Sequence, residues 1–399
     1  MVDDAQVPFA CGDGSGSNKR SGRAPTEPLA LGFGPAPLGR VCKPHKMHGT
    51  VATKTTAHVA AGDGISVVVE EDGTAYTCGV HGALGHRRLK QRSAPKSVAA
   101  MNNKKVVFAA AGTKHILLLT GDGEVWSAGE NADGQLGLGS LKAMLGGSDS
   151  DESSGERQLK PKLMAPLIGQ NVVHAAAGTS CSLLVTDIGR VFACGANSNE
   201  RNGTGGRLGL PGLESIAAPT LVCLPVKVKI MKAAAGRDHS LLLSDRGQVF
   251  AMGSNDRGQL GLESEDTIDG CPGRVRGFSG GFLIHIAAGA EHSAAVSDDG
   301  KLWTWGAGNR GQTGHGDEEH RFFPCQVKGI DGKKVVCVAA GKTHTVAETK
   351  EGKIFAWGDG NMGQLGAGDF KKRSVPEEVK WSSVSTMATV NRMMATLVA

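Results

Sequence analysis

Ala234-Ala235-Gly236-Arg237-Asp238-His239-Ser240-Leu241-Leu242-Leu243-Ser244-Asp245-Arg246-Gly247-Gln248-Val249-Phe250-Ala251-Met252-Gly253-Ser254-Asn255-Asp256-Arg257-Gly258-Gln259-Leu260-Gly261 is the fullest of six copies of one pattern. The glycine of the Ala-Ala-Gly triplet falls at 62, 112, 178, 236, 289 and 341, at spacings of 50, 66, 58, 53 and 52. A period near 50 over most of a 399-residue chain predicts a repeat architecture. Function in such a chain belongs to surfaces between or above the repeats.

Each copy alternates short apolar runs with turn residues. Ser240 to Ser244 and Gln248 to Met252 read as two strands joined by the glycine-bearing turn Asp245-Arg246-Gly247. The triplet caps an earlier apolar stretch, Val226 to Met231, and a proline usually follows the Gly-Gln-Leu-Gly turn, as at Pro95, Pro166, Pro219, Pro324 and Pro376. About four short strands per unit is the content of one propeller blade. Small residues at the triplet suit inner strands that converge on a central channel, and 59 glycines argue against long helices. The expected fold is all-β, a seven-bladed propeller of four-stranded blades over residues 29–399, behind a flexible tail of residues 1–28. In that reading the seventh blade joins both ends of the chain: residues 29–39 pair against 386–399, with Met387-Ala388-Thr389 as its triplet. Val7 to Gly12 is a second choice for the closing strand.

The chain has no Trp-Asp dipeptide, and its Gly-Gly pairs are out of register with the repeat. Both facts argue against two other propeller repeats of similar period. The pattern Ala-Ala-Gly-x-x-His-Ser to Gly-x-Asn-x-x-Gly-Gln-Leu-Gly resembles instead the repeat of the regulator of chromosome condensation family. That resemblance implies a fold strongly and a function weakly, because the repeat also occurs in ubiquitin ligases, a plant light receptor and membrane-traffic proteins. The founding member is a guanine-nucleotide exchange factor for the small GTPase Ran and binds chromatin. What the resemblance implies here is a GTPase-facing set: Asp238 in Gly236-Arg237-Asp238-His239, its neighbours Arg237 and Glu291, and a wedge-like loop carrying Asn199, Glu200 and Arg201. The mechanism implied is stabilisation of a nucleotide-free GTPase by differential binding. Gly178-Thr179-Ser180-Cys181 carries no acid and no Gly-x-His-His occurs, so a non-catalytic interaction propeller, a scaffold or regulatory adaptor, stands beside it.

Charge is uneven. No Asp or Glu occurs from Gly73 to Gly121, and Arg87, Arg88, Lys90 and Arg92 crowd the loop after the first copy's turn; Lys371-Lys372-Arg373 holds the equivalent loop of the sixth. Acid gathers at Glu263, Glu265, Asp266 and Asp269 and again at Asp317, Glu318 and Glu319. Arg87, Arg88, Lys90 and Arg92 are therefore candidates for docking DNA phosphates, a nucleosome or an acidic partner. The insertion at about 140–160 is polar and acidic, and reads as a disordered, passive loop, with phosphorylation of its Ser148 to Ser154 segment as the second choice.

Chemistry by bond making finds no support. His115, His239, His292 and His344 share one repeat position, which suits blade-to-blade hydrogen bonding better than metal ligation. The glycine clusters lack the Lys-Ser/Thr of a phosphate loop, and no hydrolase or redox motif occurs. No cofactor, metal or small-molecule substrate is expected. The nine scattered cysteines, none in Cys-x-x-Cys, suit buried thiols in a reducing compartment. No apolar run is long enough to span a membrane, so the expected location is the nucleus, with the cytoplasm second.

Overall fold

A computed structural model describes residues 56–79, 84–86, 92–139, 157–198, 206–262 and 268–380. These form six four-stranded antiparallel sheets. They are blade 1 (Thr56–Ser97), blade 2 (Val106–Leu163), blade 3 (Val172–Leu221), blade 4 (Ile230–Arg274), blade 5 (Leu283–Gln326) and blade 6 (Val335–Glu378). Strands within a blade pair in chain order, as a meander. The triplet closes the innermost strand: in blade 4 that strand is Ile230–Ala235, followed by His239–Ser244, Val249–Gly253 and the outer Ile268–Arg274. The inner strand thus ends on the triplet, later than the Val226 to Met231 run suggests.

The expected seven-bladed ring is corrected to six blades. Residues 1–28, the segments 29–39 and 386–399 and the insertion at 140–156 lie outside the described residues, as does Val7 to Gly12. The described blades meet at the triplet. A Cβ on Gly178 would stand 2.6 Å from the carbonyl oxygen of Gly236, and one on Gly289 would stand 2.5 Å from that of Gly341. Gly62, Gly112 and Gly236 are as closely set against the next blade's triplet glycine. Neighbouring inner strands of the described blades therefore meet where a glycine stands.

The second strand of each blade is buried on both faces, so it reads as a continuous apolar run rather than an alternation. In blade 2, Leu117 and Leu119 face blade 3, where they meet Val172, Ala175 and Leu184. Ile116 and Leu118 face blade 1, among Ile65, Val67 and Val69. Cores thus lie between blades, and each blade completes the next.

A polar clasp repeats over these cores. His115 Nε2–H of blade 2 donates to Ser182 Oγ of blade 3 (2.9 Å), whose hydroxyl donates to the Gln135 carbonyl of blade 2 (2.7 Å). His239, Ser293 and Gln259 repeat it between blades 4 and 5, and His292, Thr345 and Gln312 between blades 5 and 6. Trp305 and Trp357 add indole N–H bonds of 2.9 Å to the Gln259 and Gln312 carbonyls. Of the four histidines expected to bond from blade to blade, His115, His239 and His292 do so.

Every outer strand carries a proline: Pro95, Pro161, Pro219, Pro272, Pro324 and Pro376. In blade 2 the outer-strand proline is Pro161, while Pro166 sits in the short 3-10 turn Ala165–Leu167 that follows. Proline is tolerated on an edge strand and removes a donor there. It also packs inward: a Cβ on Gly137 of the blade 2 turn would lie 3.0 Å from Pro219 of blade 3.

Two outcomes follow from this packing. Gly178→Ala should cost about 1–3 kcal/mol, the usual penalty for overpacking, measured by denaturant unfolding. Gly332→Ala serves as the control for substitution itself, since nothing lies within 4 Å of a Cβ there, although its φ of 78° adds some strain. The second concerns acid. Burial lowers His115, His239 and His344 to about 4 and His292 to about 3. The unfolded chain binds protons that the folded chain refuses, so stability is full above pH 6.5 and falls as pH drops toward 4. Each imidazole contributes up to about 1.4 kcal/mol per pH unit in that window. Unfolding free energy measured between pH 7 and 5 should therefore show uptake of roughly four or more protons.

Candidate functional site at the channel mouth

The residue after each triplet glycine sits at the end of its inner strand. Six such residues, Asp63, Thr113, Thr179, Arg237, Ala290 and Lys342, line one cavity of about 120 Å³ with Gly236 and Gly289. Adjacent positions are tied through the backbone: Thr113 N–H donates to the Gly178 carbonyl and Arg237 N–H to that of Ala290, both at 3.4 Å. This is one mouth of the channel.

Blade 3 is unlike the others at this mouth. In blades 2, 4, 5 and 6 the turn glutamine accepts a backbone N–H two residues upstream, as Gln135 does from Asp133 at 3.0 Å and Gln312 from Arg310 at 2.8 Å. Blade 3 has Gly206-Arg207-Leu208-Gly209 in that place. Arginine cannot accept, so its side chain reaches across to blade 4. Arg207 is 1% exposed; Nη1 donates to the Arg237 carbonyl (2.7 Å), Nη2 donates to the Ser198 carbonyl and lies 3.4 Å from Asp238 Oδ1. Cys181 replaces the clasp histidine here, and Ser240 donates to the Arg207 carbonyl at 2.7 Å. The blade 3–4 junction thus substitutes a buried ion pair for the histidine clasp.

Asp238 is the centre of this arrangement. It is 4% exposed and lies between Arg207 and Arg237, whose Nε donates to Asp238 Oδ2 at 2.8 Å. Arg237 Nη2 also pairs with Glu291 of blade 5. Sequence reading expects the residue two places past the triplet glycine to project from the rim; the structure turns the Asp238 carboxylate inward. Arg237 and Glu291, with side chains 24% and 17% exposed, are what the cluster presents at the surface. The structure therefore brings Arg237, Asp238 and Glu291 together and adds Arg207. The signal for Arg207 was the single swap of Gln for Arg in the repeated turn.

Asn199, Glu200 and Arg201 lie outside the described residues. Ser198 and Gly206, which flank that segment, are held beside the site, since Ser198 accepts from Arg207 and Gly206 precedes it. Arg87, Arg88 and Lys90 also lie outside, and of Arg92 only the backbone, paired with Gly79, is described. The sixth-blade basic run is not a free cationic surface: Lys372 pairs with Glu318, and Arg373 with Asp369 (2.7 Å) and Glu377. Basic and acidic loops meet there rather than forming separate sectors. Nor are all thiols buried: among the described cysteines Cys223 and Cys271 are exposed and Cys325 is half-buried.

Removing one partner of a buried charge pair strands the other. Asp238→Ala should cost about 3 kcal/mol of unfolding free energy, through the stranded Arg207. In an Arg207→Gln background, which restores the glutamine of blades 2, 4, 5 and 6, the same change should cost less than about 1 kcal/mol. A double-mutant cycle by denaturant unfolding measures the difference.

The RCC1-like domain model matches residues 9–396. The chain is 32% identical over 326 residues to the E3 ubiquitin-protein ligase HERC2 of Homo sapiens, covering 80% of this chain and 6% of that protein. It is 33% identical over 307 residues to the ultraviolet-B receptor UVR8 of Arabidopsis thaliana, covering 77% of this chain and 65% of that one. Its fold is similar to that of Prp20p from Saccharomyces cerevisiae, with a TM-score of 0.72 and 25% identity, covering 89% of this chain and 87% of that one. With the repeated triplets, the interblade clasp and this match over nearly its whole length, the chain belongs to the RCC1-like family of β-propellers.

Proposed function

We propose that the channel-mouth face around Arg237 and Glu291 docks a Ran-like small GTPase and promotes guanine-nucleotide release. The observation that carries this reading is the charged cluster from Arg207 to Glu291, which joins blades 3, 4 and 5 around the buried Arg207–Asp238 pair. The segment 199–205 leaves and rejoins the chain beside it. Prp20p, described by its binding to Gsp1p and histones, supports the partner class. Asp238 holds Arg237 in place, while Arg237 and Glu291 meet the partner. The propeller accelerates release only as far as it binds the nucleotide-free GTPase better than the loaded one. The same reading takes in chromatin: Arg87, Arg88, Lys90 and Arg92 would contact DNA phosphate or a nucleosome in the nucleus, with salt-dependent affinity.

A second reading, an interaction propeller without exchange activity, is favoured by the higher identity to HERC2 and UVR8 than to Prp20p. Fluorescent-nucleotide release from Gsp1p, Ran and other small GTPases separates the two. The first reading expects acceleration by the wild type and a loss of tenfold or more with Arg237→Glu, about 1.4 kcal/mol or greater. Arg237→Glu also sets a carboxylate against Asp238 and Glu291, so Glu291→Gln, which keeps the Arg237–Asp238 pair, should reproduce the loss with little change in melting temperature. Release at the intrinsic rate from every GTPase tested would leave the second reading.

A further inference from the structure

The channel has a second, unassigned chemistry toward the start of its inner strands. Each inner strand carries a register irregularity after its first residue, next to Ala57, Val107, Val173, Met231, Ile284 and Val336. Such a bulge re-aims the side chains beside it. The next residue around the ring is His58, Phe108, His174, Lys232, His285 and Cys337 in turn. Phe108 stacks between two imidazoles, with ring centroids 4.1 Å from His58 and 4.9 Å from His174. Lys232 Nζ reaches the blade 5 backbone, donating to the Ile284 carbonyl at 3.1 Å. His285 Nε2 lies 3.5 Å from Cys337 Sγ, and its Nδ1 is buried with no hydrogen-bond partner.

These groups surround a cavity of about 60 Å³, walled by alanines with Phe108, Ile286 and Val338. Among the described residues its ionisable lining groups are His174, Lys232 and His285, and no carboxylate borders it. Burial lowers the Lys232 ammonium, and burial together with that ammonium lowers His174 and His285 to about 3. His174 Nδ1 accepts the Ala233 N–H at 3.5 Å, which leaves its Nε2 to carry the ring proton as a donor. A half-buried cation with no counter-charge among the described residues, flanked by imidazole donors, has the character of a site for an anion. The volume suits a handful of atoms, since one water needs about 10–15 Å³ on this measure. A nucleotide is too large. Among the described residues no three His, Cys, Asp or Glu side chains converge as a metal set.

We infer that this pocket binds a small tetrahedral oxyanion, ion-paired to Lys232 and hydrogen-bonded by His174 and His285. The anion offsets the ammonium's field and favours protonation of both imidazoles, so binding tightens as pH falls. The other titratable groups around the cluster are His58 across Phe108, from blade 1, and, from blade 6, the Cys337 thiol beside His285 and the Glu348 carboxyl opposite it, which burial raises to about 7.

Sulfate is the probe, because it stays dianionic across the range tested. Millimolar sodium sulfate, against sodium chloride at matched ionic strength, should raise the melting temperature by a few degrees, more at pH 6.0 than at 7.5. It should also shift the imidazole NMR resonances of His174 and His285. Lys232→Met and His285→Gln should each abolish both responses; should the first fail to fold, the second decides. Inorganic phosphate should reproduce the effect and formate should not. Sulfate leaving the imidazole resonances unmoved, or acting equally on wild type and His285→Gln, overturns the assignment.

Discussion

Everything in this propeller depends on how closely adjacent inner strands approach at the triplet. Where Gly178 faces the Gly236 carbonyl and Gly289 faces that of Gly341, one methyl group would occupy the space of the neighbour's backbone. The spacing between blades follows from that approach, and so does the depth of the apolar layer they share. It also places the clasp. A Cβ on Gly112 would lie 3.0 Å from His115 Nδ1, so the same absence of side chain makes room for the imidazole that ties blade 2 to blade 3. One residue type thus sets both the packing and the polar network above it.

Much of the fold was legible because the repeat writes its constraints locally. The triplet glycines, the hairpin around Asp245-Arg246-Gly247 and the shared histidine position each correspond to a structural part. Blade number was the error. A period locates blades where all its marks are present, and extending it to Met387-Ala388-Thr389 and to residues 29–39 meant accepting copies without the glycine or the glutamine turn. The inner strand was misplaced for a related reason: Ala233 to Ala235 looks like a cap to a hydropathy reading, yet small residues are what a channel-lining strand needs.

The site was half legible. Asp238 stood out through the family resemblance of Gly236-Arg237-Asp238-His239. Its surroundings did not, since Arg207 lies 31 positions upstream in another blade and only the fold brings them within 3.4 Å. Charge counted along the chain misled in the same way. Lys372 looked basic by its sequence neighbours, but Glu318 from blade 5 is its partner. Departures from the repeat were the informative residues, and their meaning was set by what the next blade placed opposite them.

The prolines of the outer strands constrain how anything can be recognised. A partner peptide cannot extend a blade by adding a strand over an unbroken ladder, because each perimeter strand is interrupted where its donor is missing. Backbone-directed capture, which reads little of a partner's side chains, is thereby closed off along the six described outer strands. Discrimination among partners falls to side chains in the loops between strands and at the two ends of the channel. Those are the segments free to vary from copy to copy without disturbing the glycine contacts, so one frame can change its partners without changing its shape.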